Sequence, residues 1–472
     1  MAHPEPFHSG PGCHVRLRAR QLRQSGFTLI ELLVTMLIGL LLVLAILVVQ
    51  SNLSRANMQL SDAGQRNDQA RVALNLVQQD LGNALYMVGG GNTQCTATLQ
   101  YTPGIPVQAL SAVTAMKQGP ATSLPTTDAL TDPLLKPEAY IAAGIDGGTN
   151  VSNMLAISIV PTALRAPPTA ASPTAPYKVV HNIVNMATSG QQAVNNGVLP
   201  LNNIEGITAG VAPMPGDSLM LMVPMAGTNS GLACLRFTVG SLTSVTPPPP
   251  APVGAPHVDA VQMPAPGKFA DFTPLLQEAG LLATVPKVAV NEVLENKHLI
   301  GAKLKNEGPA LGAAAMQTIV YYVATIESGV GSGKLPVLVR ATIDSAGKLV
   351  DQPVPVAAGV VSLQVLFGVD GAAENDAPIG SVTNYLNEKQ VKDNKVAGHV
   401  RTVLYAIVSR TVQSNPNADQ APLVTTVAIP SPSFATGDGA FEPFLPRSDE
   451  EKRFRYTVHT AEVALRNQLW SR

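Results

Sequence analysis

Between Leu32 and Val49 the chain carries no charged residue, and most of these positions are Leu, Val or Ile. As an α-helix this run is about 27 Å long, close to the hydrocarbon thickness of a bilayer. A helix that is apolar on every side has no face for water, so lipid or other apolar helices must surround it. The apolar run starts at Phe27, and Glu31 is its one ionisable member. A secretory signal shares a basic start, but its apolar part spans only about 7 to 15 residues and ends at a small-residue cleavage site. None follows Val49. Arg16, Arg18, Arg20 and Arg23 precede the run, and the positive-inside bias puts that end in the cytoplasm and everything after Val49 outside.

The helix has no reason to stop at the membrane edge. Of 39 prolines, none falls between Pro11 and Pro103. Leu53, Ala56, Leu60, Ala63, Ala70, Leu74, Val77, Leu81, Leu85 and Val88 follow a three-four spacing that only Asn67 breaks, while Arg55, Asp62, Arg66, Asp68, Arg71 and Asp80 fall off the stripe. The pattern predicts one helix from about Thr28 to Val88, ended by Gly89-Gly90-Gly91, with Gly39, Gly64 and Gly82 as weak points inside it.

Beyond Cys95 the character changes to short β-rich runs between Pro, Gly and Asn clusters. Strands are expected at 155–160, 218–223, 234–239, 318–325, 336–343, 360–369, 401–409 and 455–465, in an antiparallel sheet. Thr246 to Gly267, with Pro247-Pro248-Pro249-Pro250, reads as an extended loop, and so does Leu164 to Pro176. Asp271 to Ala283 and Asn291 to Lys303 are candidate short helices. Charged residues make up only 13% and the formal charge is −1, so nothing argues for nucleic acid or for a strongly acidic substrate.

The junction reads Gly26-Phe27-Thr28-Leu29-Ile30-Glu31, and here the sequence resembles a type IV prepilin. In that family an inner-membrane aspartyl peptidase cuts after the Gly and methylates the new amino terminus. The resemblance implies that residues 1–26 are a leader and that Phe27 is the first mature residue. A lone membrane carboxylate costs about 2.5 kcal/mol or more and needs a partner; the resemblance supplies one for Glu31, the positive amino terminus of a neighbouring pilin. Loss of the leader removes four Arg and Glu5, leaving 27 basic and 31 acidic residues, a formal −4. Cys13 leaves too, so Cys95 and Cys234 remain as an even pair in an oxidising compartment, where either a disulfide or two separately buried thiols would satisfy them. Further landmarks are Asp80-Leu81 to Gly89, Tyr321-Tyr322-Val323-Ala324, Leu338-Val339-Arg340, Val360 through Leu366-Phe367-Gly368-Val369-Asp370, the stretch 400–410 and Thr460 to Asn467 with Ala461-Glu462-Val463-Ala464-Leu465-Arg466-Asn467. In that order they resemble PilW-type minor pilins. Residues 100–300 depart from the pattern.

Catalytic patterns are weak. Gly329-Val330-Gly331-Ser332-Gly333-Lys334 is one residue short of a phosphate-binding loop, and Leu335 stands where a magnesium-binding Ser or Thr is required, so it reads as a hairpin loop. Eight scattered histidines have no zinc spacing. Asp370, Glu374 and Asp376 lack the ligand pattern and closing Glu of a calcium loop, and read as a solvated turn. Arg447 to Arg455 reads as a solvated approach to the last strand, and no Gly-x-Ser-x-Gly elbow is present.

The expectation is therefore an α+β, pilin-like chain. It divides into a leader at 1–26, a long helix at 27–91 whose membrane part is 27–49, and a periplasmic head at 92–472 with a Pro-rich insert at 100–300. The resemblance implies a structural subunit without cofactor, metal or catalytic residue, set in the inner membrane and carried into the pilus. Its implied partners are prepilin peptidase, other minor pilins, the major pilin, the assembly machinery and inner-membrane lipid. A type II secretion pseudopilin and a tip adhesin acting through the insert are the alternatives.

Overall fold

In the computed structural model the chain forms two compact units, Met1–Ser61 and Asp62–Arg472. The structure describes residues 28–84, 95–102, 105–110, 113–118, 124, 126, 128, 152–159, 180–183, 196–211, 214–224, 232–245, 258–265, 267–268, 303–312, 315–327, 334–371, 381–394, 396, 399–411, 423–432, 439–446 and 448–465.

Helix α1 spans Leu29–Gly82. In the first unit its apolar side chains from Leu29 to Val49 are all exposed, and so are Leu53, Met58 and Leu60. In the second unit the stripe is used: Ala70, Ala73, Val77 and Leu81 are buried. The helix stops sooner than the expected Val88. Asn83 N–H donates to the carbonyls of Gln79 and Asp80 at 3.2 and 3.1 Å, its Nδ2 donates again to the Gln79 carbonyl at 2.9 Å, and Ala84 then pairs with Ile159 as a β-bridge. Gly82 is therefore the last helical residue, not an internal weak point, because Asn83 closes the turn and Ala84 already belongs to a sheet. Leu85, Val88 and Gly89-Gly90-Gly91 lie outside the described residues.

Among the described residues the second unit holds four sheets where one was expected. The first runs β14 (Val354–Ala358), β13 (Lys334–Asp344), β12 (Gln317–Glu327), β4 (Asn153–Ile159), β3 (Val113–Lys117). The second runs β16 (Asn384–Leu386), β15 (Val360–Val369), β17 (Val400–Arg410), β18 (Tyr456–Ala464). One continuous core joins the last turns of α1 to both: Ala73, Val77 and Leu81 pack with Leu155, Tyr321, Val323, Leu363, Val365 and Tyr405. The outer face of each sheet is also covered, by Leu124 over Tyr322 and Val339, and by Val427, Ile429, Phe441 and Phe444 over Leu366 and Val408. Burial on both faces explains why β12, β15 and β17 read as unbroken apolar runs. Register between β12 and β13 is continuous from Gln317↔Asp344 to Glu327↔Lys334, so Lys334 already belongs to a strand; Gly329 to Gly333 lie outside the described residues.

The remaining sheets come from residues 95–110 and 180–309, where strands were expected at 218–223 and 234–239 and the others were not expected. The third runs β2 (Ile105–Leu110), β1 (Cys95–Thr102), β8 (Leu232–Thr238), β7 (Asp217–Pro224), β11 (Lys303–Pro309), β5 (Val180–Asn182); β1 and β8 are parallel and its other pairs antiparallel. The fourth is β6 (Val198–Pro200), β10 (Val258–Gln262), β9 (Ser241–Val245). Strand β10 corrects the reading of Thr246 to Gly267 as one extended loop. Between Pro256 and Pro264 the sequence has no proline, and Ala260 and Val261 are fully buried between two antiparallel neighbours. Leu164 to Pro176, the candidate helix at 271–283 and all but the end of that at 291–303 lie outside the described residues; Lys303 itself opens a strand.

Asp370 is a second correction. It is fully buried, its carboxylate accepts from Arg401 Nε at 3.3 Å, and its backbone carbonyl faces His399 Nδ1 at 2.8 Å. It terminates β15 in the core rather than lying in a solvated turn, because the guanidinium on neighbouring β17 neutralises it. Glu374 and Asp376 lie outside the described residues. The final approach is largely solvent-facing as expected, with a 3-10 turn at Glu451–Arg453, but Phe454 within it is buried under Arg410, 4.1 Å from guanidinium carbon to ring centroid.

Candidate functional site

Two places on α1 combine a charged side chain with apolar surroundings: its amino-terminal turn, and the turns where it meets the sheets. Gly26 and Phe27 lie outside the described residues. Glu31 sits in the first turn, where the helix dipole favours an acid. Its backbone N–H donates to the Thr28 carbonyl at 3.0 Å, and its own carbonyl accepts from Thr35 Oγ1 at 2.9 Å. Among the described residues its carboxylate has no hydrogen-bond or ion-pair partner. Around it, Leu29, Ile30, Leu32 and Leu33 are all exposed. Among the described residues one helix, α1, is long and apolar enough to cross a membrane.

The other end of α1 is pinned by polar contacts that its apolar stripe does not reveal. Asp80 is 8% exposed. Tyr321 on β12 donates its hydroxyl to Asp80 Oδ2 at 2.6 Å, and Arg340 on β13 donates Nε to the same oxygen at 3.0 Å. Arg340 is held in turn by Thr342 Oγ1 at 3.2 Å. Burial, reinforced by the Asp80 charge and hydrogen bond, pushes the Tyr321 hydroxyl far above its ordinary pKa, so it remains a donor at any physiological pH. Burial opposes the charge on Arg340, but the hydrogen bond and charge of Asp80 outweigh it and raise its pKa. Two further contacts bind the helix to the sheets: Tyr405 on β17 donates to the Leu74 carbonyl at 2.9 Å, and Gln69 Oε1 accepts the backbone N–H of Ala358 on β14 at 3.3 Å. On β18, burial and then the Arg71 charge lower the His459 pKa.

Sequence reasoning placed Asp80 off the packed stripe, and that is wrong. Ala73, Val77, Asp80 and Ala84 are three or four residues apart and all buried, so an acid occupies a core position of the helix. The spacing was available; hydrophobicity scoring hid it because Asp breaks an apolar count. Asp80, Tyr321 and Arg340 were each read as landmarks of a resemblance, with no physical role. The structure brings them together.

Cys234 on β8 is fully buried and disulfide-bonded. Strand β1, which begins at Cys95, lies parallel beside β8, with Thr98 opposite Cys234. Cys13 lies outside the described residues. Nearby, Arg236 and Glu307 form a buried bidentate pair at 2.5 and 3.1 Å, and Asn306 Nδ2 donates to the Gly206 carbonyl and to Asp217 Oδ2 at 2.8 and 3.0 Å. These groups are mutually satisfied within the sheet. Among the described residues no group of three His, Cys, Asp or Glu is placed to hold a metal.

Comparison with known families matches both ends of the chain. Residues 320–467 match the family model of type IV pilus-assembly protein W, and residues 21–47 match the prokaryotic N-terminal methylation motif. No curated protein and no solved structure matches. The first match covers β12 through β18, including Tyr321 and Arg340; the second covers the Gly26-Phe27 junction and the start of α1. Over these two stretches the chain is similar to PilW-family, prepilin-like proteins.

Proposed function

We propose that this chain is a minor pilin that is cut after Gly26, methylated at Phe27 and carried by α1 from the inner membrane into a type IV pilus, where it takes part in priming the filament or forming its tip. The observation that carries the reading is the pairing of a methylation-motif match at the start of a helix whose apolar residues from Leu29 to Val49 are all exposed with a pilus-assembly match on the body. In this reading residues 1–26 are the leader, 27–91 the long helix and 92–472 a periplasmic head. The subunit works by packing: neighbouring pilin helices cover Leu29 to Leu60, and Glu31 sets axial register by pairing with a neighbour's amino terminus. The Asp80 contacts transmit the pull on that helix to the head. Prepilin peptidase, the other pilins and inner-membrane lipid are its partners, and no reaction of its own is assigned.

The same reading pairs Cys95 with Cys234. Their strands are adjacent, and the remaining cysteine, Cys13, is lost with the leader.

Co-purification tests the reading. Tagged full-length protein should be recovered with sheared pili, and Gly26→Trp should leave a precursor in the membrane that never reaches them. Recovery only with secretion-system membranes would favour the pseudopilin alternative instead.

A further inference from the structure

Helix α1 is fastened to the sheets in two different ways. Over residues 70–81 it lies on an apolar seam, with Ala70, Ala73, Val77 and Leu81 buried and Asp80 clamped by Tyr321 and Arg340. Over residues 62–69 no described side chain is buried, and the described attachment is polar. Arg66 stands at its centre. Its Nε donates to Asp62 Oδ1 at 3.3 Å and its Nη1 to Gln69 Oε1 at 2.9 Å. The same Gln69 atom accepts the Ala358 N–H at 3.3 Å. Two donors converge on it, so it is the amide oxygen, and the guanidinium fixes which way that amide faces. Arg66 is therefore a positioning residue for Gln69.

This contact lies where the two sheets that share the α1 core join. Ala358 ends β14 and Val360 begins β15. Gly359 between them donates to the Pro336 carbonyl and accepts from the Arg410 N–H, both at 2.7 Å. A Cβ on Gly359 would lie 3.4 Å from Arg66 Cδ, so the arginine stem rests against the junction. The boundary between the two compact units falls just before, between Ser61 and Asp62. Inside the polar stretch Gly64 weakens the helix, and packing does not call for it, since a Cβ there would meet nothing within 4 Å among the described residues. Half-exposed polar groups exchange their bonds with water at little cost, whereas the seam opens only by exposing apolar side chains and a buried carboxylate.

We propose that Arg66 and Gln69 form a latch on the sheet junction: residues 62–69 unwind and leave it as a unit of their own, while the seam over 70–81 stays closed. Opening moves the end of the unfastened part of α1 from Ser61 to Gln69 and leaves the body fastened. The latch is a property of the body alone, so it stands or falls independently of the pilin reading.

Residue-resolved hydrogen exchange on the full chain in detergent tests it, with the Ala358 amide as reporter because its acceptor is on α1. In the wild type that amide should exchange faster than those of Val77, Leu81 and β12. Arg66→Met should speed it about fivefold or more and leave β12 unchanged, which also reports an intact fold. Gly64→Ala favours the helix and should slow the same amide by about fivefold. Arg66→Met combined with Gln69→Ala should exchange there no faster than Gln69→Ala alone, since Arg66 acts through Gln69. An Ala358 amide that ignores Arg66→Met or Gly64→Ala, acceleration of β12 in step with it, or a double variant faster than Gln69→Ala would each overturn the latch.

Discussion

At the scale of single residues, the most consequential side chain is Asp80. It is an acid in a helix stripe otherwise built from Ala, Val and Leu, and both of its partners come from strands more than two hundred residues away. Asp80→Ala removes the shared acceptor, orphans the Tyr321 hydroxyl and leaves Arg340, itself partly exposed, to rehydrate. A loss of about 2 to 3 kcal/mol in head stability is expected, short of a fully buried pair because Arg340 can reach water. Tyr321→Phe should cost about 1 kcal/mol, and the double variant should cost less than the sum. Denaturant unfolding of the two singles and the double would measure that coupling; strict additivity would mean that the two side chains act independently.

Titration gives a second test at this scale. Burial raises the hydroxyl pKa of Tyr321, Tyr322, Tyr385, Tyr405 and Tyr456. In the unfolded chain these groups ionise near pH 10, so above that pH the unfolded state binds fewer protons and stability must fall as pH rises. His459 works on the acid side. Its folded pKa is lowered, by burial first and Arg71 second, so below about pH 6.5 the unfolded state binds the extra proton and stability falls as pH drops. His459→Gln should flatten the acid limb of a stability profile without changing the alkaline one. An unchanged acid limb would show that another group governs it.

At the scale of elements, what was legible depended on how many faces an element buries. Strand β15 was expected at Val360 to Val369 and lies there, because ten buried residues leave no ambiguity of period. Helix α1 was legible from its missing prolines and its stripe, but its end was not: three glycines at 89–91 gave a stronger stop signal than Gly82-Asn83, where a side-chain bond and a β-bridge settle the matter. The sheets at 95–309 were only partly legible. The run Pro247 to Pro250 made Thr246 to Gly267 read as one loop, although Val258-Asp259-Ala260-Val261-Gln262 is proline-free, and β5 and β6 have three residues each, too short for any periodicity. Gly359, at φ +80° beside the Arg410 carbonyl, separates β14 from β15. Gly359→Ala should destabilise by about 1 to 3 kcal/mol, since a Cβ is disfavoured both by that backbone and by that neighbour; thermal unfolding would check it, and an unchanged midpoint would remove the strain argument.

At the scale of the whole molecule, the body carries two kinds of sheet. Those formed by 113–159 and 317–464 share their core with α1, and their strands after β4 fall almost wholly within the pilus-assembly match; those formed by 95–110 and 180–309 lie outside that match. The second kind is fastened by the Arg236–Glu307 pair and by the disulfide of Cys234. If that disulfide closes on Cys95, it links a loop of about 140 residues, worth roughly 4 kcal/mol in the chain-entropy model. Cys234→Ser should then lower thermal stability in oxidising buffer and abolish the difference between oxidised and reduced wild-type protein. Peptide mapping that finds Cys95 alkylatable in periplasmic protein would contradict the pairing.

Assembly and folding should separate cleanly along the chain. Glu31 touches no partner among the described residues, so Glu31→Ala should leave the unfolding of the head unchanged while pilus incorporation falls. Asp80→Ala should lower both.

The central claim is that the apolar helix begins a mature pilin. Mass spectrometry of the amino-terminal peptide, taken from protein recovered with sheared pili, tests it most directly. The expected peptide starts at Phe27 and carries one methyl group on its amino terminus. A peptide that starts at Met1, or one that starts beyond Val49, would contradict the account.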